Sequence, residues 1–198
     1  MSDVGDALQK RASGTNLFMA AINLSTYTPK FNDQFFFDTN VWLLLFGSVA
    51  NYQKNDQKIY STFLGELLSR NSSIFISSLI LSEYANVQLR RDFNQWKPKS
   101  GFVDPQFKKD FVGTQIYKDS VVVITQELNN IIKLPIVVRT PDSFNALSLD
   151  HILADFEVLD FNDSYIAELS SFNNCKVVTN DRDFFKIANK IDVLSAQA

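Results

Sequence analysis

The sequence predicts a three-layer α/β/α domain around a central parallel sheet of four to five strands. Three observations carry that expectation. Short apolar runs at 35–37, 73–76, 136–138 and 176–179 have the length and composition of buried strands. They alternate with longer segments whose apolar residues recur at helical spacing. The runs also lack the polar alternation of a half-solvated strand, so both faces of the sheet should be covered.

Composition limits the function classes. The 198 residues, 45% hydrophobic and 21% charged, form an ordinary globular mix, which excludes a collagen-like or largely disordered chain. The length suggests one domain. A single cysteine, Cys175, excludes an internal disulfide framework and a cysteine-rich zinc site. The single histidine, His151, excludes a two-histidine metal site within the chain. A net charge of -3 is not that of a globally basic nucleic-acid binder. No segment approaches the ~18 consecutive apolar residues of a membrane span. Residues 17–22 follow Lys10 and Arg11, but the stretch is short and Asn23 and Ser25 interrupt it, so it is not read as a secretory signal. A cytoplasmic location is the expectation.

Residues 1–34 carry no strong pattern and read as an N-terminal arm, with a short helix over 3–11 and a turn over 27–30. The domain proper takes 35–198. Its first strand ends in Asp38, and a helix begins over 41–46. Ile59, Tyr60, Phe63, Leu64, Leu67 and Leu68 mark the next helix, a stripe that outweighs Gly65. After the strand at 73–76, Ser77 and Ser78 are candidate N-caps for a helix over 79–91. Pro98, Ser100 and Gly101 mark 92–103 as a loop.

Asp104-Pro105 then reads as an N-cap with proline at the first helical position. It would open one long helix through Phe107, Phe111, Tyr117, Val121, Ile124, Leu128 and Ile131, ending before Pro135. The longer helical segment thus occupies about 92–133. A helix over about 143–154 follows the third strand, and Asp163 opens another over 164–172. A fifth strand is expected at 191–194. The 18 phenylalanines read as core filling, as does Trp42; Cys175 should be buried and His151 structural or superficial.

Parallel sheets place functional residues beyond the carboxyl ends of their strands. Asp38 ends the first strand in Asp38-Thr39-Asn40-Val41. Asp181 follows the fourth in Thr179-Asn180-Asp181-Arg182-Asp183-Phe184. Glu83 lies about one turn into the helix after the second strand, and Asp163 stands at a helix start. Any one alone reads as a cap or turn residue. Gathered at one edge, they would repel: two carboxylates ~4 Å apart do so by roughly 4 kcal/mol at an effective dielectric of ~20. A divalent cation relieves this. Oxygen-only ligands favour Mg²⁺ or Mn²⁺ over zinc, and such ions activate water and neutralise charge developing at phosphorus. The convergence follows from the assumed fold, not from spacing.

In this order, together with Ser82-Glu83-Tyr84 and Asp163-Ser164-Tyr165-Ile166-Ala167, these pieces make the sequence resemble the PIN-domain family of metal-dependent ribonucleases, especially the VapC-like toxins. The resemblance covers about 35–195. It implies a catalytic and metal-binding cluster of Asp38, Glu83, Asp163 and Asp181, with Asp183 as an auxiliary metal ligand. Thr39, Asn40 and Asn180 would lie beside it, the Thr39 hydroxyl ordering the first acid. It implies Mg²⁺ or Mn²⁺ as cofactor and endonucleolytic cleavage of RNA to a 5′-phosphate and a 3′-hydroxyl. An antitoxin whose peptide fills the acidic groove, and a homodimer, are the implied partners. The chain is longer than the compact toxins, in the arm and over about 92–119. Asp160 competes for the third acidic position, and the Ser-Tyr-Ile-Ala after Asp163 favours Asp163.

RNA binding by an acidic protein needs locally concentrated cations. Arg90, Arg91, Lys97, Lys99, Lys108 and Lys109 interleave with Trp96 and Phe102, a mixture suited to a single strand with a base on Trp96. The alternative is a solvated face with arginines at a helix C-terminus. Arg182, between two acids, is a candidate for the scissile phosphate; its alternative is a salt bridge. Two other functions compete: a silent PIN-like RNA-binding or protein-interaction module, and a phosphotransferase. For the latter, Asn40 stands where a haloacid-dehalogenase-like enzyme needs a second Asp, and Phe35-Phe36-Phe37 offers no acidic pair of a receiver.

Overall fold

The computed structural model describes residues 21–47 and 54–198. The six strands are β1 (Ile22–Asn23), β2 (Gln34–Phe37), β3 (Ser73–Ile76), β4 (Val137–Arg139), β5 (Lys176–Val178) and β6 (Val193–Ser195). They form one sheet in the order β1-β6-β5-β2-β3-β4, every pairing parallel. The helices are α1 (Thr39–Phe46), α2 (Lys54–Arg70), α3 (Ser78–Trp96), α4 (Gln115–Ile132), α5 (Leu149–Asp155) and α6 (Phe161–Phe172). α1 packs with α2, α3 and α4, while α5 and α6 pack together and α6 rests on β5. The architecture is the expected three-layer α/β/α fold. Among the described residues no helix is long and apolar enough to cross a membrane.

The central strand accounts for three of the phenylalanines, and the core-filling expectation holds only in part, because Phe31, Phe102, Phe144, Phe156, Phe161 and Phe172 are exposed. Phe35, Phe36 and Phe37 are all fully buried. Successive strand side chains point to opposite faces, and Phe35 and Phe37 both meet Phe63 of α2, at ring-centroid distances of 5.4 and 6.3 Å. Phe37 also lies 5.2 Å from the buried Trp42 ring. A strand buried on both faces needs no polar alternation, which is why this run is unbroken.

Among the described residues the sheet holds six strands, not four to five. β1 lies in the expected arm and pairs with β6, Ile22 opposite Leu194. A two-residue edge strand is too short to show as a run. The turn expected over 27–30 closes later, where Asp33 N–H donates to the Lys30 carbonyl at 3.1 Å. The helix expected over 3–11 and most of the signal-like stretch lie outside the described residues.

The segment around 92–133 departs most from expectation. α3 runs on to Trp96, so 92–96 is helical, and Lys97–Lys99 adds a 3₁₀ turn. Asp104 is not a cap; it adopts φ 52° in the left-handed region. Phe107–Phe111 forms a single π-helical turn, and Gly113 at φ 89° breaks the chain before α4. Only glycine takes that backbone without strain. Thr114 then caps α4, its Oγ1 accepting from Tyr117 N–H at 3.1 Å. Phe93, Trp96, Phe102, Phe107, Phe111 and Tyr117 join in ring contacts of 5.3–6.0 Å, a small second core that fastens the π-turn to α3.

Two helix starts also moved. Ser148, not a residue near 143, caps α5 by accepting from His151 N–H. Asp160 caps α6, so the helix begins at Phe161 and Asp163 lies within its first turn.

Candidate functional site

The sheet order places a topological switch at its centre. From β2 the chain moves outward through β3 and β4; β5 and β6 lie on the other side. Ligands of open α/β sheets bind beyond the carboxyl ends of the strands at such a point. Asp38 follows β2 and Asp181 follows β5, one on each side of it.

Asp38 is 4% exposed and caps α1. Its Oδ1 accepts from Thr39 N–H at 2.6 Å, and its Oδ2 accepts from Asn40 Nδ2 at 2.6 Å and Thr179 Oγ1 at 2.8 Å. Asn40 Oδ1 in turn accepts from Asn180 N–H at 2.9 Å, which ties the β2 loop to the β5 loop. Burial pushes the Asp38 carboxyl up to about 7, against the Thr179 and Thr39 hydrogen bonds and with the charges of Glu83 and Asp181.

Glu83, on α3, accepts at Oε2 from Thr39 Oγ1 at 2.9 Å. The Thr39 hydroxyl therefore serves Glu83, and the hydroxyl that orders Asp38 is that of Thr179. Burial raises the Glu83 carboxyl; the Thr39 bond opposes this and the Asp160 charge adds to it.

Asp163 sits in the first turn of α6. Burial, then the charges of Asp38, Asp160, Asp181 and Glu83, push its carboxyl up to about 8. Among the described residues no hydrogen-bond donor reaches its carboxylate. Asp160, its rival, is exposed, and its Oδ1 is engaged as the α6 cap by Asp163 N–H at 2.9 Å. Asp181 is oriented from both sides: its N–H donates to Thr179 Oγ1 at 2.9 Å and its Oδ1 accepts from Asp183 N–H at 2.8 Å.

The four principal acids, drawn from β2, α3, α6 and the β5 loop, thus act on one another electrostatically. Asp183 contributes its backbone N–H; its carboxylate is exposed and pairs with Lys186 at 2.8 Å. Asn180 turns its side chain toward α2, within 3.3 Å of Asp56 Oδ2 and 3.1 Å of Tyr60 Oη. Among the described residues no three His, Cys, Asp or Glu close on one point as an ion cage. The donor chemistry nevertheless fits a hard cation, because all four groups are carboxylates and Asp163 has no competing donor. Mg²⁺ usually keeps several waters and takes only one or two carboxylates, so it needs no all-protein cage.

Most of the expected RNA-contacting residues are engaged elsewhere. Arg90 stacks 4.1 Å from the Phe107 ring centroid, Arg91 pairs with Asp92 at 2.9 Å, and Lys97 pairs with Asp104 at 3.2 Å. Trp96 is half-buried in the second aromatic core. Arg182 is exposed and bonds Gln197, with no carboxylate partner among the described residues.

Sequence reasoning did not assign a role to Thr179 or Tyr60. Thr179 is fully buried and serves Asp38, Asp181 and Asn40; its place at the head of the Thr-Asn-Asp motif was the signal. Tyr60 is fully buried too, and its Oη lies 2.7 Å from the Thr179 carbonyl that accepts from it. In the sequence it is one more residue of an apolar helical stripe.

Fold and site together define an α/β domain with a cluster of carboxylates at the switch point of a parallel sheet. Residues 35–190 match the PIN domain family model, and the chain belongs to that family. Its fold resembles a solved structure of VapBC2 from Rickettsia felis bound to a DNA fragment from their promoter. That likeness has a TM-score of 0.50 at 16% identity, covering 82% of this chain and 98% of the other. No curated protein matches the sequence.

Proposed function

We propose that the protein is a Mg²⁺- or Mn²⁺-dependent endoribonuclease, acting in the cytoplasm as the toxin of a toxin–antitoxin pair. The observation that carries this reading is the gathering of four carboxylates from elements far apart in sequence: Thr179 Oγ1 joins Asp38 to the Asp181 backbone, Thr39 of the Asp38 loop holds Glu83, and Asp163 is raised by burial and then by the charges of Asp38, Asp181 and Glu83. Carboxylates held together at such a cost suit a site built for a cation. The likeness to VapBC2 and the PIN family membership supply the choice of nuclease and toxin.

Asp38, Glu83, Asp163 and Asp181 would hold the ion. When bound, it would supply Lewis acidity and an activated water for attack on the phosphodiester. Thr179 and Asn40 fix the Asp38 carboxylate, and Thr39 fixes Glu83, so these two acids are set before any ligand arrives. Asp163, free of donors, is the acid best able to move toward a cation. Asp183 orients Asp181 through its N–H. Arg182 would meet a phosphate of the strand. Contact with an antitoxin or a second copy is part of the same reading, by likeness to VapBC2.

Purified protein incubated with transfer, ribosomal and messenger RNA should cut with Mn²⁺, leave 5′-phosphates and stop in EDTA. Cutting that persists in EDTA contradicts the proposal. Folded, Mn²⁺-supplied protein that leaves all three RNA classes intact turns the reading to a silent binding module.

A further inference from the structure

The tail after β6 is fastened to the loop that carries Asp181. Ala196 N–H donates to Tyr60 Oη at 3.2 Å, and that hydroxyl donates onward to the Thr179 carbonyl at 2.7 Å. Gln197 N–H donates to Ser195 Oγ at 3.1 Å, and both Tyr60 and Ser195 are fully buried. These bonds set the backbone of Gln197. Its side-chain amide then spans Asp181: Nε2 donates to the Asn180 carbonyl at 3.1 Å, and Oε1 accepts from Arg182 Nε at 2.8 Å.

The partner chosen for Arg182 matters. A neutral amide fixes a guanidinium without cancelling its charge, whereas a carboxylate at the same place would neutralise it. With Nε engaged, the terminal nitrogens of the guanidinium fork make no hydrogen bond among the described residues. Such a fork matches two phosphate oxygens. We propose that Gln197 is a positioning residue that holds Arg182 beside Asp181 as an uncompensated cation for a phosphate of the RNA strand. The inference rests on the nuclease reading above.

The test measures binding of a fluorescein-labelled single-stranded RNA in Ca²⁺ across a salt series, with cleavage kinetics in Mn²⁺. Gln197→Ala should raise Kd and KM roughly 3- to 10-fold with kcat within about twofold. Arg182→Ala should do the same and lower the salt slope by about one. In the double variant the two losses should not add, because Gln197 acts through Arg182. Gln197→Glu keeps an acceptor for Arg182 Nε but neutralises it, and it loses the donor to the Asn180 carbonyl, so it should bind RNA more weakly than Gln197→Ala at low salt. This variant keeps the test sharp if Gln197→Ala folds poorly.

A residue that only holds the tail would give additive losses and a Gln197→Glu no worse than Gln197→Ala. That result overturns the inference. Wild type that binds and cuts RNA while both Gln197 variants match its KM and salt slope also overturns it, and leaves the nuclease reading standing. Folded wild type that neither binds nor cuts removes both.

Discussion

Metal-free protein carrying Asp163→Asn should melt above the metal-free parent at pH 8, and the same variant supplied with Mn²⁺ should cut no RNA. The two effects come from one carboxylate. Asp163 is half-buried among Asp38, Asp160, Asp181 and Glu83, and its folded-state carboxyl lies at about 8 against an ordinary 3.8. Below pH 3.8 the group is neutral in both states and carries no penalty. Between there and about 8 the unfolded chain gives up a proton that the folded chain retains, so stability falls as pH rises. Above that window the penalty is complete. The amide cannot ionise, and no hydrogen bond to the Asp163 carboxylate is lost in exchange. After allowance for solvent screening of a partly exposed group, the gain should be on the order of 1–2 kcal/mol, or roughly 2–8 °C in Tm. Melting curves at pH 5 and pH 8 check this: the parent should lose more stability between them than the variant. Equal pH dependence in the two proteins would contradict the electrostatic account of the carboxylate cluster.

Asp38→Asn should lower cleavage by at least ~10²-fold but leave Tm nearly unchanged, unlike Asp163→Asn. Asp38 also carries a raised carboxyl, at about 7, so the amide relieves a buried charge. Here, however, both oxygens are in use. An amide keeps one acceptor and turns an NH₂ on Asn40 Nδ2 and Thr179 Oγ1 or on Thr39 N–H. Flipping Asn40 in response would break its bond from Asn180 N–H, the link between the two loops. A buried polar group left without its partner costs about 1–3 kcal/mol, enough to offset most of the charge relief. A steady-state cleavage assay paired with a melting curve checks both halves. A large rise in Tm would mean that the hydrogen-bond hub contributes less than its geometry implies. Full activity would remove Asp38 from the reaction.

The fold class was legible in the sequence because β2, β3 and β5 read as short apolar runs between helical segments, most clearly in β2, where Phe35, Phe36 and Phe37 are all buried. β1 was not legible: two residues paired to an edge strand leave no periodic trace. Around 104–117 the apolar stripe continued at helical spacing through Phe107 and Phe111, which concealed a π-turn; the break lies in the backbone of Gly113, where φ is 89°. Asp160 and Asp163 could not be separated by spacing. Among the described residues the two differ in what they hold: Asp160 caps α6, and the Asp163 carboxylate accepts no hydrogen bond. The hydrogen-bond hub around Asp38 was the least legible part. Thr179 meets Asp38 across 141 residues and Tyr60 meets Thr179 across 119, separations that only the assembled sheet brings together.

The central claim is that these acids form a divalent-cation centre. Calorimetric titration of the protein with Mn²⁺ at pH 7.5, in two buffers of different ionisation enthalpy, measures affinity and proton release together. Carboxyls at about 7 and about 8 are partly protonated there, and a cation must displace those protons. The account predicts binding with release of roughly one proton, and loss of both signals in Asp163→Asn/Asp181→Asn. Folded protein that takes up no Mn²⁺, or takes it up equally after that double substitution, would contradict it.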